Sequence, residues 1–79
     1  MISLRFLGAA ALAAGCREET LPLGRNGEII LGKDILAGVE EMLPAGFPVQ
    51  LVNEGVPVAE DSPVANGASL TVIPMVVGG

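Results

Sequence analysis

The stretch ISLRFLGAAALAAGC, residues 2–16, supports two incompatible readings. Its first part alternates, with Ile2, Leu4 and Phe6 on one side and Ser3 and Arg5 on the other. That is the period of a half-buried strand. GAAALAAG follows, in which alanine is the best helix former and Gly15 suits the left-handed position that ends a helix. So short a helix needs docking on a core, and Leu12 is its expected anchor. The rival reading is a bacterial lipoprotein signal. It takes Arg5 as the charged start, Phe6 to Ala14 as the apolar core, and Leu-Ala-Ala-Gly before Cys16 as the lipidation box. The first reading builds the fold from residue 2; the second removes everything before Cys16.

The rest of the chain bears on this choice. Seventy-nine residues allow one small domain with a modest core. Hydrophobic residues make up 51% and the aromatic ones are two phenylalanines, so the core is aliphatic and the composition argues against disorder. A net charge of −5 argues against nucleic acid, which needs Lys and Arg on phosphates, and fits partners with basic surfaces. With no histidine and one cysteine there are too few soft ligands for zinc, and Cys16 has no intrachain disulfide partner. No apolar run is long enough to cross a membrane.

REETLPL, residues 17–23, reads as a weaker strand, placed at an edge because Pro22 cannot donate to a ladder. GRNG is turn chemistry, and EIILGKD either extends a strand or leads into a helix. The main helix is DILAGVEEML, residues 34–43. Ile35, Leu36, Val39, Met42 and Leu43 form one apolar stripe, with Glu40 and Glu41 away from it. Asp34 suits the positive helix start, Gly38 costs about 1 kcal/mol against alanine, and Pro44 and Gly46 stop the helix. PVQLVN, residues 48–53, is a strand with Val49, Leu51 and Asn53 on one side, turned by NEG into a brief pairing of VPVA. Asn66-Gly67 is a turn, and SLTVIP, residues 69–74, is the last strand. Strands covered by one helix make an α+β layer, in which the long connections allow the first and last strands to pair in parallel.

The sequence ends PMVVGG, residues 74–79. A terminal carboxylate is a poor electrophile, but transfer of AMP from ATP makes a mixed anhydride that a sulfur nucleophile attacks. Two glycines have no side chains, so such a tail threads a narrow channel into another protein's active site. Within the chain there is no His base, no Ser or Cys in a nucleophile motif, and GRNGEIILGKD lacks P-loop spacing.

The opening strand, the short helix, DILAGVEEMLP and above all LVNEGVPVAEDSPVANGASLTVIPMVVGG resemble the β-grasp sulfur carriers of the MoaD/ThiS type. These are the small subunit of molybdopterin synthase and the thiamin sulfur carrier. Asn53, Asp61, Pro63, Gly67, Pro74, Gly78 and Gly79 fall where that pattern has matching residues. The chain departs from it in NGA at residues 66–68, in Pro74-Met75 before the tail, and in an alanine-rich first helix that lacks the usual Arg-Glu. The helix-bearing insert after the first strand is closer to the molybdopterin carrier.

The resemblance implies an α+β, ubiquitin-like β-grasp domain over residues 1–75, a mixed sheet of four or five strands under one main helix, and a flexible tail at 76–79. It implies a carrier rather than an enzyme. An E1-like adenylyltransferase uses ATP to activate Gly79, and a sulfur donor converts the adenylate to a thiocarboxylate. The tail then enters the large subunit of molybdopterin synthase, or thiazole synthase in the thiamin case. Gly79 carries the reacting carbon, Gly78 supplies slenderness, and Pro74, Met75, Val76 and Val77 either contact partners or pack the strand end. No stably bound cofactor, metal, nucleic acid or membrane is expected, and the location is cytoplasmic. A central first strand disfavours cleavage before Cys16, which becomes a small packed residue. Two other functions remain open: a ubiquitin-like modifier joined through Gly79 to lysines, for which Lys33 is the sole lysine of the chain itself, and an acidic binding module with an inert tail.

Overall fold

A computed structural model describes residues 1–75. Strand β1 is Ile2–Phe6, with Ile2, Leu4 and Phe6 buried and Ser3 and Arg5 exposed, as the alternation demands. Helix α1, Gly8–Ala14, follows at once and ends at Gly15 in the left-handed conformation (φ 76°). Its anchor is Ala10, fully buried, and not Leu12, which is 86% exposed. The junction with β1 sets the phase of the helix. Ala10 then faces the sheet, and Leu12, about 200° further round, points to solvent.

Strand β2, Glu18–Leu21, runs antiparallel to β1 at the sheet edge and stops before Pro22. After a single 3-10 turn at Arg25–Gly27, EIILGKD takes both of its readings: Ile30–Leu31 is the short strand β3, and helix α2, Gly32–Met42, begins at the next residue. The helix therefore starts two residues before Asp34. The Asp34 carboxylate accepts a hydrogen bond from the Leu31 N–H at 3.1 Å, satisfying a donor at the helix start. Ile35 and Val39 are fully buried, Leu43 is buried just past the helix, and Leu36 and Met42 are half-buried against the core.

Two glycines in α2 let other elements come close. A Cβ on Gly32 would lie 2.0 Å from the Ala59 carbonyl oxygen, and one on Gly38 2.9 Å from Leu21 Cδ1. The helical propensity lost at Gly38 thus accompanies close packing on β2.

Strands β4, Val49–Asn53, and β5, Val56–Pro57, form a hairpin through Glu54 and Gly55, both with positive φ (50° and 82°), as a two-residue turn of primed type requires. Strand β6, Pro63–Val64, pairs with β3 in a separate two-stranded ribbon. Strand β7, Ser69–Pro74, completes a five-stranded sheet of order β2-β1-β7-β4-β5. Among the described residues only the β1–β7 pair is parallel, in the register Ser3 to Ser69 through Phe6 to Val72. One sheet face, from Ile2, Leu4, Phe6, Leu51, Leu70 and Val72, packs with Ile35, Val39 and Ala10 into the core.

The sheet is therefore mixed and α+β, at the upper end of the expected strand number, and carries an additional ribbon and a second helix. Because β1 lies between β2 and β7, loss of residues 1–15 would remove an interior strand and bare one side of β7. Among the described residues no helix is long and apolar enough to cross a membrane. The expected tail, residues 76–79, lies outside the described residues.

The packing ranks substitutions. Ile35→Ala should lower the unfolding free energy by about 2–5 kcal/mol, while Leu12→Ala should stay within about 0.5 kcal/mol of the parent in a urea titration. Gly32→Ala should cost about 1–3 kcal/mol despite alanine's helix propensity, because the Ala59 backbone must move; the same titration reads it.

Candidate functional site

The candidate site is the end of β7. This strand holds the middle of the sheet, bonded to β1 on one side and β4 on the other. Its ladder with β4 runs from Val52–Thr71 to Val49–Pro74, and the Met75 N–H donates to the Pro48 carbonyl at 3.0 Å, one residue beyond the strand. The chain is thus held by backbone hydrogen bonds up to the residue before Val76. Rigid support of this kind fixes the position of Met75.

The two described members of the expected partner-binding set differ. Pro74 is half-buried, directly opposite Val49, with its ring beside Gly8, where a Cβ would sit 3.8 Å from Pro74 Cγ. Pro74 is part of the packing at the strand end. Met75 is 51% exposed and offers its side chain to the surface. Val76, Val77, Gly78 and Gly79 lie outside the described residues.

Other apolar side chains gather at this end of the sheet. Ile73 is 37% exposed on the face that α2 does not cover, and Leu7, whose N–H donates to the Val72 carbonyl at 3.1 Å, is 41% exposed. Sequence reasoning passed over both. The available signal was an apolar residue at the outward position between Val72 and Pro74. The lower part of the same face is polar, with Ser3, Thr20, Ser69 and Thr71 in adjacent register positions.

The remaining motif positions support the fold. Gly67, with φ 89°, donates its N–H to the Met1 carbonyl at 2.8 Å, and Ala68 accepts from the Ser3 N–H at 3.0 Å. Asn66 Oδ1 accepts from the Met1 nitrogen. The turn therefore brings the start of β7 alongside the start of β1. Asn53 closes β4, Pro63 opens β6, and Asp61 is exposed on the loop before it. Cys16 is half-buried against the core, as a packed residue would be. Lys33 is exposed in the first turn of α2. Among the described residues no group of three or more His, Cys, Asp or Glu side chains is placed to hold a metal ion.

No family model matches the chain, and no curated protein does. Solved structures do. The chain is similar to SAMP1 from Haloferax volcanii, with a TM-score of 0.75 and 21% identity over 99% of this chain and 98% of that one. A structure of H. volcanii small archaeal modifier protein 1 gives a TM-score of 0.74 at 19% identity, covering 95% and 97% of the two chains. A Pyrococcus furiosus protein described as molybdopterin converting factor, subunit 1, gives 0.69 at 19% identity, again over 95% and 97%. These likenesses, with the mixed sheet and its central parallel pair, establish a β-grasp, ubiquitin-like fold.

The contrast between Pro74 and Met75 is testable. Met75→Ser should leave the unfolding free energy from a urea titration within about 0.5 kcal/mol of the parent, as for an exposed side chain, and Pro74→Ser should lower it measurably.

Proposed function

We propose that the chain is a sulfur carrier whose carboxyl end, Gly79, is adenylated by an E1-like enzyme and converted to a thiocarboxylate for molybdopterin biosynthesis. The observation that carries this reading is the placement of Pro74 and Met75. The central strand of a β-grasp sheet delivers the chain to the Gly-Gly segment from a rigid, hydrogen-bonded position. Residues 1–75 serve as the docking body and residues 76–79 as the tail.

The chemistry follows from the carboxylate. Its oxygen attacks the α-phosphorus of ATP, pyrophosphate leaves, and the acyl adenylate forms. A sulfur nucleophile from a donor protein then attacks the carbonyl carbon, and AMP departs. With a cysteine persulfide as the donor this gives an acyl disulfide; a second thiol then attacks the donor's cysteine sulfur, forms a disulfide with it, and releases Gly79 with sulfur in place of one oxygen. The lack of side chains at Gly78 and Gly79 lets the tail reach both active sites, while Met75, Val76 and Val77 meet the walls of the channel. In this reading the chain is a cosubstrate or small synthase subunit, and the activating enzyme and the synthase supply the catalytic groups. ATP belongs to the activating enzyme. The larger synthase subunit is the acceptor, and the setting is the cytoplasm.

Likeness to the archaeal modifier proteins favours a second reading, conjugation of Gly79 to lysines of other proteins. It shares the adenylation step and differs in the nucleophile, an amine in place of sulfur. The thiamin carrier is a variant of the first reading with thiazole synthase as acceptor.

Intact mass of the protein from its native cells, with fragmentation of the C-terminal peptide, decides between them. The carrier reading predicts a mass gain equal to one oxygen replaced by sulfur, located on Gly79. Isopeptide-linked ladders resistant to thiol reductants, without that gain, would establish the modifier. A Gly79 unchanged after incubation with ATP, an E1-like enzyme and a sulfur donor would overturn the carrier reading.

A further inference from the structure

Beside the end of β1 lies a cleft between α1 and the start of β2, lined by Arg5, Leu7, Ala11, Leu12, Arg17 and Glu18. Three features set it apart. First, Leu12 is 86% exposed on a helix otherwise made of glycine and alanine, although the same helix already has its anchor in Ala10. Second, in a chain of net charge −5 the cleft holds two of the four cationic side chains, Arg5 and Arg17, against one acid, Glu18. Third, it adjoins the candidate site: the Leu7 N–H bonds the Val72 carbonyl, and Gly8 lies beside Pro74.

We infer that this cleft docks a segment of the adenylating enzyme that presents an apolar side chain to Leu7, Ala11 and Leu12 and carboxylates to Arg5 and Arg17. The inference rests on the proposed activation of Gly79. Every variant of that reading, carrier or modifier, passes through adenylation, so the adenylating enzyme is the partner common to all. An enzyme that draws the tail into its active site must cover the surface from which the tail leaves. Desolvated contact with Leu12 supplies affinity, because a protruding aliphatic side chain gains most when a pocket encloses it. The two arginines supply orientation and on-rate, a screened effect that weakens with salt. The acidic remainder of the domain repels the same segment, which confines it to the cleft.

The test is ATP–pyrophosphate exchange by the E1-like enzyme purified from the same cells, with the intact chain as varied substrate. Leu12→Gln keeps helix propensity and an exposed position, and Arg17→Glu reverses a charge on an exposed residue, so both variants should fold. Circular dichroism of each variant checks this. The expected result is a KM raised about tenfold or more by Leu12→Gln with kcat within twofold of the parent. Arg17→Glu should also raise KM, and its KM should lose most of the salt dependence shown by the parent. Parent-like KM in both folded variants overturns the cleft while leaving activation of Gly79 intact, since the parent still supports exchange. No exchange with the parent overturns the activation reading, and the cleft's assigned partner with it. A parent that sediments as a dimer, dissociated by Leu12→Gln with KM unchanged, would mean that a second copy occupies the cleft and would overturn the inference.

Discussion

The parallel pairing of β1 with β7 is the constraint on which the rest of the molecule depends. It joins Ser3–Phe6 to Ser69–Val72, segments remote in sequence, and places Ile2, Leu4 and Phe6 beside Leu70 and Val72 on one buried face. Each fully buried aliphatic side chain of this size contributes about 1.5–3 kcal/mol, so this face is a large share of what a small aliphatic core can supply. The ladder also organises the other strands. β2 adds to the free side of β1 and β4 to the free side of β7, so neither segment can be lost without opening the sheet. Closing so long a loop costs entropy before the contacts form, which makes the Asn66-Gly67 turn and its hydrogen bonds to Met1 and Ser3 relevant to register.

Helix α2 completes the core through two different devices. Ile35 and Val39 insert large side chains, while Gly32 and Gly38 omit them where the Ala59 carbonyl and Leu21 approach. The helix thus lies close to β2 and to the loop that leads into β6. The short β3–β6 ribbon, immediately before the helix, is held by the same approach: the Gly32 N–H donates to Ser62 and the Lys33 N–H to Glu60, each through a backbone carbonyl.

The functional proposal draws on the stiffness of this arrangement. A segment leaving from an edge strand would inherit the fraying of the edge. Here Met75 follows the central strand, which is bonded to β1 as far as Val72 and, on the β4 side, as far as Met75. Leu7, Leu12, Ile73 and Met75 are exposed apolar side chains at one end of a small domain, and two arginines lie beside them.

Much of this was legible in the residues alone, because some physical rules are local. Side-chain direction alternates along any strand, so Ile2, Leu4 and Phe6, Val49 and Leu51, and Leu70 and Val72 declared their strands and their buried faces. The same holds for the 3.6-residue stripe of α2 and for Gly15 as a helix stop. Other features depend on what lies across space. Leu12 looked like an anchor until the β1–α1 junction fixed the helix phase and turned Ala10 inward. The cost of Gly38 was readable, but its reason, Leu21, arrives from a different strand. EIILGKD divides between strand and helix because Val64 and Pro63 come to pair with Ile30 and Leu31. Propensity and periodicity act within a few residues of one another, whereas helix phase, close approach and exposure are set by neighbours that only folding assembles.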